Sequence, residues 1–231
     1  RFGKTLNQFM IRRFLEDERT RSGERIDNGH LFDGLKIAEC GEEILSHRQQ
    51  YPVIFLSLKS AKPPNFQEAY KKLCGEIAEE FRRHQYLLEG NSLADDQKNI
   101  FQKIMTEQAD YGEYNDALKF LSECLWQYHG KNTIILIDEY DVPLENAYFE
   151  GFYDKMIKFI RSLFESALKT NPYLEKSVIT GCLRISKESI FTGLNNLETD
   201  SVLHTRFGDF FGFTQEEVEG LLAYYHLSEQ F

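Results

Sequence analysis

The sequence is poor in cysteine and has no cysteine motif. Four cysteines are scattered over 231 residues, with no C-x-x-C pair and no histidine at metal-ligand spacing, so the pattern indicates neither a disulfide framework nor a zinc site. No apolar run approaches the roughly 18 residues of a membrane span, and no secretory signal opens the chain. We therefore expect a cytoplasmic protein with reduced thiols and no membrane partner.

Positive charge is also in short supply. The chain has 27 Lys and Arg residues against 37 Asp and Glu residues, which gives a formal net charge of −10. A nonspecific electrostatic attraction to nucleic acid is not expected of such a chain, so its charge gives no support to a nucleic-acid partner. An anionic ligand would need a focused site made of lysine, backbone N–H groups and a metal ion.

What the sequence does contain is apolar material arranged in alternating patterns. Hydrophobic residues make up 42% of the chain and include 19 Phe, enough for a substantial core. Continuous apolar runs predict strands at 51–58, 133–138 and 177–183, with a fourth within 201–213. Helical spacing and capping signals predict helices at 4–18, 66–81, 93–109, 114–128 and 153–167, and a last one after Thr214. This alternation indicates an α/β domain with a mostly parallel sheet.

The first predicted helix begins at Gly3-Lys4-Thr5, which matches the last part of the phosphate-loop pattern G-x-x-x-x-G-K-[ST]. In that pattern the lysine offsets the charge of the β- and γ-phosphates, and the hydroxyl of Thr5 would bind Mg²⁺. Backbone N–H groups at the helix start complete the anion site. The tripeptide alone is a weak signal, because these three residues also occur together by chance.

A second signal lies at the end of the strand predicted at 133–138. This strand is apolar and ends in Asp138-Glu139, which is the pattern of a Walker B element. Asp138 would hold Mg²⁺, a cation that prefers hard oxygen ligands, and Glu139 would orient or deprotonate an attacking water. Acids also end strands for purely structural reasons, but the two signals occur in the right order and at the right junctions for a nucleotide site.

The strand predicted at 177–183 adds two further candidates. Thr180 could hydrogen-bond the attacking water or a γ-phosphate oxygen, and Arg184 could reach the transferred phosphoryl group as a charged donor. The alternatives are equally open at this point: Thr180 favours strands intrinsically, and Arg184 could be a surface ion-pair partner.

Two other kinds of site find less support. The sequence has no G-x-S-x-G and its six histidines are dispersed, so nothing indicates a nucleophilic triad. Asp138, Glu139 and Asp141 could contribute to a two-metal nuclease cluster, but such a cluster also needs a further acid and a lysine on the neighbouring strand. Lys176 precedes the end of that strand, so we discount this reading.

Longer stretches of the chain resemble a known family. They are RFGKTLNQFM, LFDGLKI, YPVIFLSLK, EAYKKLCGEIAEEF, IILIDEYDVPL, SVITGCLRISKESIFTGLNNLETDSV and FGFTQEEVEGLL. Together they resemble the bacterial AAA-ATPase-like family, whose members pair an N-terminal P-loop NTPase module with a C-terminal domain similar to PD-(D/E)XK nucleases. The resemblance extends over essentially all 231 residues.

The resemblance implies a role for each matching residue. Gly3, Lys4 and Thr5 correspond to the phosphate loop, and Asp138-Glu139 to the Walker B pair. Arg184 matches an arginine that follows the Thr-Gly pair, here Thr180-Gly181, in the family. The resemblance implies that Arg184 senses the γ-phosphate. Asp141 falls in the same motif and is expected to support the site or the entry into the next helix.

The chain also departs from the family pattern at both ends. The family loop usually reads R-P-R-R-F-G-K-[ST] after a strand, whereas only Arg1 and Phe2 precede Gly3 here. Even that family loop lacks the first glycine of the ordinary pattern. At the other end the chain stops at Phe231, before any nuclease-like domain.

The predicted fold is an α/β P-loop NTPase domain over 1–213, with three layers and a mostly parallel sheet. One strand should separate the Walker B strand from the phosphate-loop strand. We expect that phosphate-loop strand to precede Arg1 and to lie between the strand ending at Thr180 and the fourth predicted strand. The first three predicted strands should then be parallel neighbours, and 214–231 would begin a helical lid.

The predicted function is binding of ATP with Mg²⁺ and slow hydrolysis, as a nucleotide switch for the absent nuclease-like domain. In such a switch ATP acts only through its different affinity for two conformations. One alternative is a catalytically silent scaffold that binds nucleotide weakly or not at all and mediates assembly. Another is a nucleic-acid-binding regulator, which the acidic charge balance does not support. The intact Lys4, Thr5, Asp138 and Glu139 favour the ATPase, whereas the atypical loop favours the scaffold.

Overall fold

Three parallel strands form the centre of the fold. The computed structural model describes residues 3–60, 62–182, 190, 197–201, 206 and 212–227. The strands within them are β1 (Val53–Ser57), β2 (Thr133–Asp138) and β3 (Leu174–Ile179). They lie in the order β1-β2-β3 and both pairs are parallel, as predicted. The fourth predicted strand falls mostly outside the described residues, and the spacing between β2 and a phosphate-loop strand stays a prediction.

Helices connect and flank these strands. They are α1 (Lys4–Leu15), α2 (Glu42–Leu45), α3 (Phe66–Arg83), α4 (Asp95–Met105), α5 (Tyr111–Asn115), α6 (Ala117–His129), α7 (Val142–Phe149), α8 (Tyr153–Phe164) and α9 (Gln215–Tyr224). Short 3₁₀ segments lie at Gly29–Phe32, Lys36–Glu39 and Gln85–Leu88, and a π-helical turn, Glu165–Lys169, follows α8. In the described part of the chain no helix is long and apolar enough to cross a membrane.

Two of the predicted helix starts are confirmed by their caps. The Asn65 side chain accepts a hydrogen bond from the backbone N–H of Glu68 at 3.0 Å and so begins α3. The Thr214 hydroxyl accepts from the backbone N–H of Glu217, and the Glu217 carboxylate accepts in return from the N–H of Thr214. This reciprocal capping box begins α9.

Other boundaries differ from the predictions for identifiable reasons. Strand β3 begins at Leu174 rather than at residue 177. The prediction missed its first part because Glu175 and Lys176 are exposed and charged, so no continuous apolar run marks it. Helix α1 ends at Leu15 rather than residue 18, since the N–H of Asp17 donates instead to the carbonyl of Tyr51. The chain after α1 thus runs beside the approach to β1.

Helix α7 was not predicted at all. Leu144 and Ala147 are buried whereas Tyr148 is 71% and Phe149 76% exposed. Apolar residues therefore lie on both sides of this helix, and apolar periodicity cannot reveal it.

Apolar side chains pack on both faces of the sheet, which makes the fold three-layered. Ile54, Leu56, Ile135 and Ile137 belong to the large core formed with α3, α4, α6 and α8. Val53, Ile134 and Leu136 point to the opposite face, as the two-residue period of strands requires, and pack beside α1. The carboxyl ends of the strands therefore lie between helical layers, where ligands of open α/β sheets bind.

The face of α1 toward the sheet is unexpectedly polar. The apolar residues whose spacing predicts this helix are Leu6, Phe9, Met10 and Phe14, but Phe14 is the one that is buried. Leu6 is 64% exposed, and the buried positions one turn apart are Gln8 and Arg12. The helix prediction is confirmed, whereas its buried face carries polar groups that need partners.

Charged side chains of α3 contact the outer side of β1. Glu80 accepts a hydrogen bond from the backbone N–H of Phe55 at 2.8 Å, and Arg83 donates to the carbonyl of Val53. His84 lies 3.2 Å from the same carbonyl. Burial opposes the charge of Glu80, but Arg83 and His84 outweigh it and hold the pKa of Glu80 below its ordinary value. Burial lowers the pKa of His84, which favours its neutral ring.

Candidate functional site

The start of α1 exposes backbone N–H groups that no described residue accepts from. Gly3 precedes the helix with φ 74°, a left-handed conformation that glycine adopts without strain. Among the described residues no side chain caps this helix, and its first turn has no acidic residue. Its first backbone N–H groups are therefore available, and together with the helix dipole they favour a negatively charged group at this end.

Asp138 lies directly below that helix start, at the carboxyl end of β2. Its side chain is buried, with the residue 1% exposed. The Thr5 hydroxyl donates to Asp138 Oδ2 at 2.7 Å, and the Thr180 hydroxyl donates to Asp138 Oδ1 at 2.5 Å. Thr5 lies 133 positions and Thr180 lies 42 positions from Asp138 in the sequence, yet both contact its carboxylate. The predicted phosphate-loop threonine, the predicted Walker B acid and the threonine after β3 therefore form one cluster.

Lys4, the first residue of α1, reaches the same edge of the sheet. Its ammonium group lies 3.4 Å from the Sγ atom of Cys182, two residues after Thr180. The side chain is partly exposed and so can turn toward a ligand at the helix start. Lys4 therefore brings positive charge to the edge where Asp138, Glu139 and Asp141 bring negative charge.

The turn after β2 is fixed by Asp141. Its Oδ2 atom accepts a hydrogen bond from the backbone N–H of Cys182 at 2.8 Å, and the N–H of Tyr140 donates to the carbonyl of Thr180 at 3.2 Å. Asp141 also precedes α7 as its N-cap residue, although its side chain does not cap that helix. The side chain instead joins the turn after β2 to the end of β3.

Glu139 lies at the top of that turn in a strained conformation. Its φ of 55° is in the left-handed region, which non-glycine residues rarely adopt. The side chain is partly exposed and makes no hydrogen bond with the residues that the structure describes. The described residues therefore do not hold its carboxylate in one orientation, and it can approach a water at this edge.

The oxygen atoms of this cluster are of the type that Mg²⁺ prefers. Asp138 and Thr5 provide a carboxylate and a hydroxyl within 2.7 Å of each other, and both are hard ligands. Among the described residues there is no group of three or more His, Cys, Asp or Glu side chains that could hold a metal alone. The pair matches the usual arrangement for Mg²⁺, in which one or two protein ligands are completed by waters and phosphates.

A family model matches most of the chain. The model of the family described as Predicted AAA-ATPase matches residues 1–191, most of the 231-residue chain. The chain belongs to this family. The match includes the helix start, the end of β2 and the end of β3, so the whole cluster lies inside the family region.

Other comparisons give less information about this AAA-ATPase-like chain. It is 30% identical over 95 residues to a protein of Azotobacter chroococcum mcd 1, described as an uncharacterized protein in the vnfD 5' region. The match covers 41% of this chain and 18% of that protein, so the chain spans less than a fifth of its curated relative. No solved structure gives a significant match.

The cluster around Asp138 contains most of the residues that the sequence analysis named as candidates. Gly3, Lys4, Thr5, Asp138, Glu139 and Thr180 all lie at this edge of the sheet. Arg184 lies outside the described residues, so its role stays a prediction.

Two residues of the cluster were missed, Gln8 and Gly181. Gln8 lies four residues after Lys4, on the same side of α1, and a polar residue at that helical spacing is the signal that could have revealed it. Gly181 has no sequence signal beyond following a strand.

Gly181 is required because the chain after β3 passes close to the turn after β2. A Cβ atom at position 181 would lie 2.6 Å from Tyr140 Cε1 and 2.8 Å from Asp141 Oδ1. We expect Gly181→Ala to lower the free energy of unfolding by about 1–3 kcal/mol, the usual cost of overpacking. Chemical denaturation of the two proteins measures this difference.

Gly41→Ala is the matched control for this prediction. A Cβ atom at position 41 would meet no other atom within 4 Å, and Gly41 has an ordinary negative φ of −63°. Its substitution should change stability by less than about 1 kcal/mol. Equal midpoints for the Gly181 and Gly41 variants would contradict the proposed close approach.

Proposed function

We propose that this chain binds Mg-ATP at the start of α1 and hydrolyses it slowly. The observation that carries the proposal is the 2.7 Å hydrogen bond between the Thr5 hydroxyl and Asp138 Oδ2. This bond supports the proposal because a hydroxyl and a carboxylate, the two kinds of group that P-loop NTPases use for Mg²⁺, lie side by side next to a helix start that no described side chain caps. The family description, Predicted AAA-ATPase, supports nucleotide as the ligand.

Each residue has a distinct role in this proposal. The N–H groups after Gly3 and the ammonium of Lys4 bind the β- and γ-phosphates. Thr5 and Asp138 hold the metal ion, which when bound supplies positive charge to the phosphate oxygens. Glu139 orients or deprotonates the attacking water.

Two further residues have roles that depend on the bound state. Thr180 donates to Asp138 in this structure and so contributes by fixing that carboxylate, while a contact with water or phosphate requires it to turn. Arg184 is proposed as the sensor of the γ-phosphate. We expect slow turnover because none of the described residues orients the Glu139 carboxylate, and a general base acts efficiently when it is positioned.

We further propose that hydrolysis serves as a switch for a nuclease-like domain elsewhere in the full-length protein. Support comes from the resemblance of the whole chain to proteins with that domain arrangement. A switch requires that ATP bind one of two conformations more tightly, so the affinity for ATP should differ with and without the attached domain.

Isothermal titration of the full-length protein with ATP tests the proposal. Saturable binding that requires Mg²⁺, followed by release of phosphate over minutes to hours, is the expected result. Binding without phosphate release would favour the silent scaffold. No binding of ATP or GTP in either the presence or the absence of Mg²⁺ would overturn the nucleotide assignment.

A further inference from the structure

Gln8 is a buried amide within the cluster that the nucleotide roles leave unused. It lies on α1 one turn after Lys4 and is 1% exposed. Its Nε2 group donates to the carbonyl of Ile137 at 3.0 Å and to the Thr180 hydroxyl at 3.2 Å. The orientation of the amide is fixed by chemistry, since a carbonyl oxygen only accepts and the atom facing Ile137 must be the donor.

The contact with Gln8 determines where the Thr180 proton points. A hydroxyl group has one proton to donate and accepts through its oxygen. Because the Thr180 oxygen accepts from Gln8, its proton is directed to Asp138 Oδ1, 2.5 Å away. The other carboxylate oxygen, Oδ2, then faces Thr5. A directed series of hydrogen bonds thus runs from Gln8 through Thr180 to Asp138.

We propose that Gln8 is a positioning residue that holds the Asp138 carboxylate, through Thr180, in the orientation that presents Oδ2 to the metal ion. The inference rests on the proposed function and adds a residue to it. The loss of a group that hydrogen-bonds and orients a metal ligand typically lowers metal affinity by about 10–100-fold. Thr180 contacts Asp138 directly, and Gln8 acts one residue further back by fixing Thr180.

Fold stability alone does not require an amide at this position. The carbonyl of Ile137 also accepts from the backbone N–H of Thr180 at 2.9 Å, so it keeps a partner when Gln8 is replaced. Gln8 Oε1 is buried and has no hydrogen-bond partner among the described residues. An apolar side chain of similar size would therefore leave no new unsatisfied group and would remove an existing one.

This difference separates a positioning role from a structural one in the variant Gln8→Leu. We expect its thermal midpoint to be unchanged or slightly higher, and its affinity for ATP without metal to be unchanged. The Mg²⁺ concentration needed for half-maximal ATP binding should rise about 10–100-fold, the usual effect of losing a group that orients a ligand. A lower thermal midpoint together with weaker metal-free ATP binding would show a structural role and overturn the inference.

Thr180→Val provides the second arm, because it interrupts the same series one residue later. It should raise the Mg²⁺ requirement by a similar factor, and the double variant should be no worse than either single variant, since both break one pathway. If the rise in the Mg²⁺ requirement of the double variant equals the product of the two single rises, Gln8 and Thr180 do not act through one series of hydrogen bonds. Gln102→Leu, at an exposed position of α4, is the matched control and should leave the Mg²⁺ requirement unchanged.

Binding of Mn²⁺ to the nucleotide-free protein, followed by electron paramagnetic resonance, separates this inference from the proposed function. Weaker Mn²⁺ binding by Gln8→Leu than by the unmodified protein supports the inference even if ATP does not bind. Equal Mn²⁺ and Mg²⁺ dependence in the two proteins overturns the inference while leaving the nucleotide site intact. An unmodified protein that binds neither ATP nor Mn²⁺ overturns both.

Discussion

Lys4→Ala should reduce ATP affinity by about 10–150-fold, because a hydrogen bond between charged groups contributes about 1.5–3 kcal/mol and the proposed phosphate site loses its lysine. The loss should fall on nucleotide binding and leave the fold intact. Lys4 is partly exposed, and its side-chain contact in this structure is the 3.4 Å approach to Cys182 Sγ. Isothermal titration with Mg-ATP measures the affinity, and thermal unfolding without nucleotide measures the stability.

The controls for Lys4 test both position and chemistry. Lys158→Ala removes an exposed lysine from α8 and should leave ATP affinity unchanged. Lys4→Arg should restore little of the affinity, since a planar guanidinium cannot act as the compact charge that the loop accommodates. Unchanged ATP affinity in Lys4→Ala would refute the assignment of the helix start as the phosphate site.

Glu139→Gln should keep ATP bound while slowing hydrolysis by roughly 10²–10⁴-fold, the usual range for the loss of a general base. Gln has nearly the same shape, and the Glu139 side chain makes no hydrogen bond with the described residues, so the substitution should cost little stability. Phosphate release at saturating Mg-ATP measures the rate, and titration measures the affinity. Glu145→Gln, at an exposed position on α7, is the control and should retain the normal rate.

Asp138→Asn should give the opposite pattern. The amide weakens the metal site, so Mg²⁺ should no longer strengthen ATP binding. The affinity for ATP without metal should stay unchanged. The amide is also a poor acceptor in place of a carboxylate that receives two hydroxyl donors, Thr5 and Thr180. If Asp138→Asn and Glu139→Gln behave alike in both assays, the proposed division of roles between the two acids is wrong.

The strands could be predicted from sequence where burial made them uniformly apolar. All six residues of β2 are buried, and its predicted and observed bounds are the same, Thr133–Asp138. Strand β3 has exposed residues on one side and its start was placed three residues too late. A continuous apolar run indicates that both faces of a strand are buried. The length of a strand with one exposed face is therefore underestimated from its sequence.

The cluster at the end of β2 could be predicted where the expected ligand calls for a particular residue type. Lys4, Thr5 and Asp138 follow from the chemistry of phosphate and Mg²⁺ together with the ends of predicted elements. Gln8 could not be assigned in this way, because its importance depends on which side of α1 faces the sheet. The exposed Leu6, Phe9 and Met10 gave the opposite impression of that face.

The contacts along β1 also determine how this protein can meet other chains. A strand at a sheet edge normally offers unpaired backbone groups to which a second strand can add. Here Glu80 already holds the N–H of Phe55, while Arg83 and His84 hold the carbonyl of Val53. An incoming strand would have to displace buried ionic side chains from both groups. This side of the molecule therefore resists edge-to-edge aggregation, and assemblies of the protein are expected to form through other surfaces.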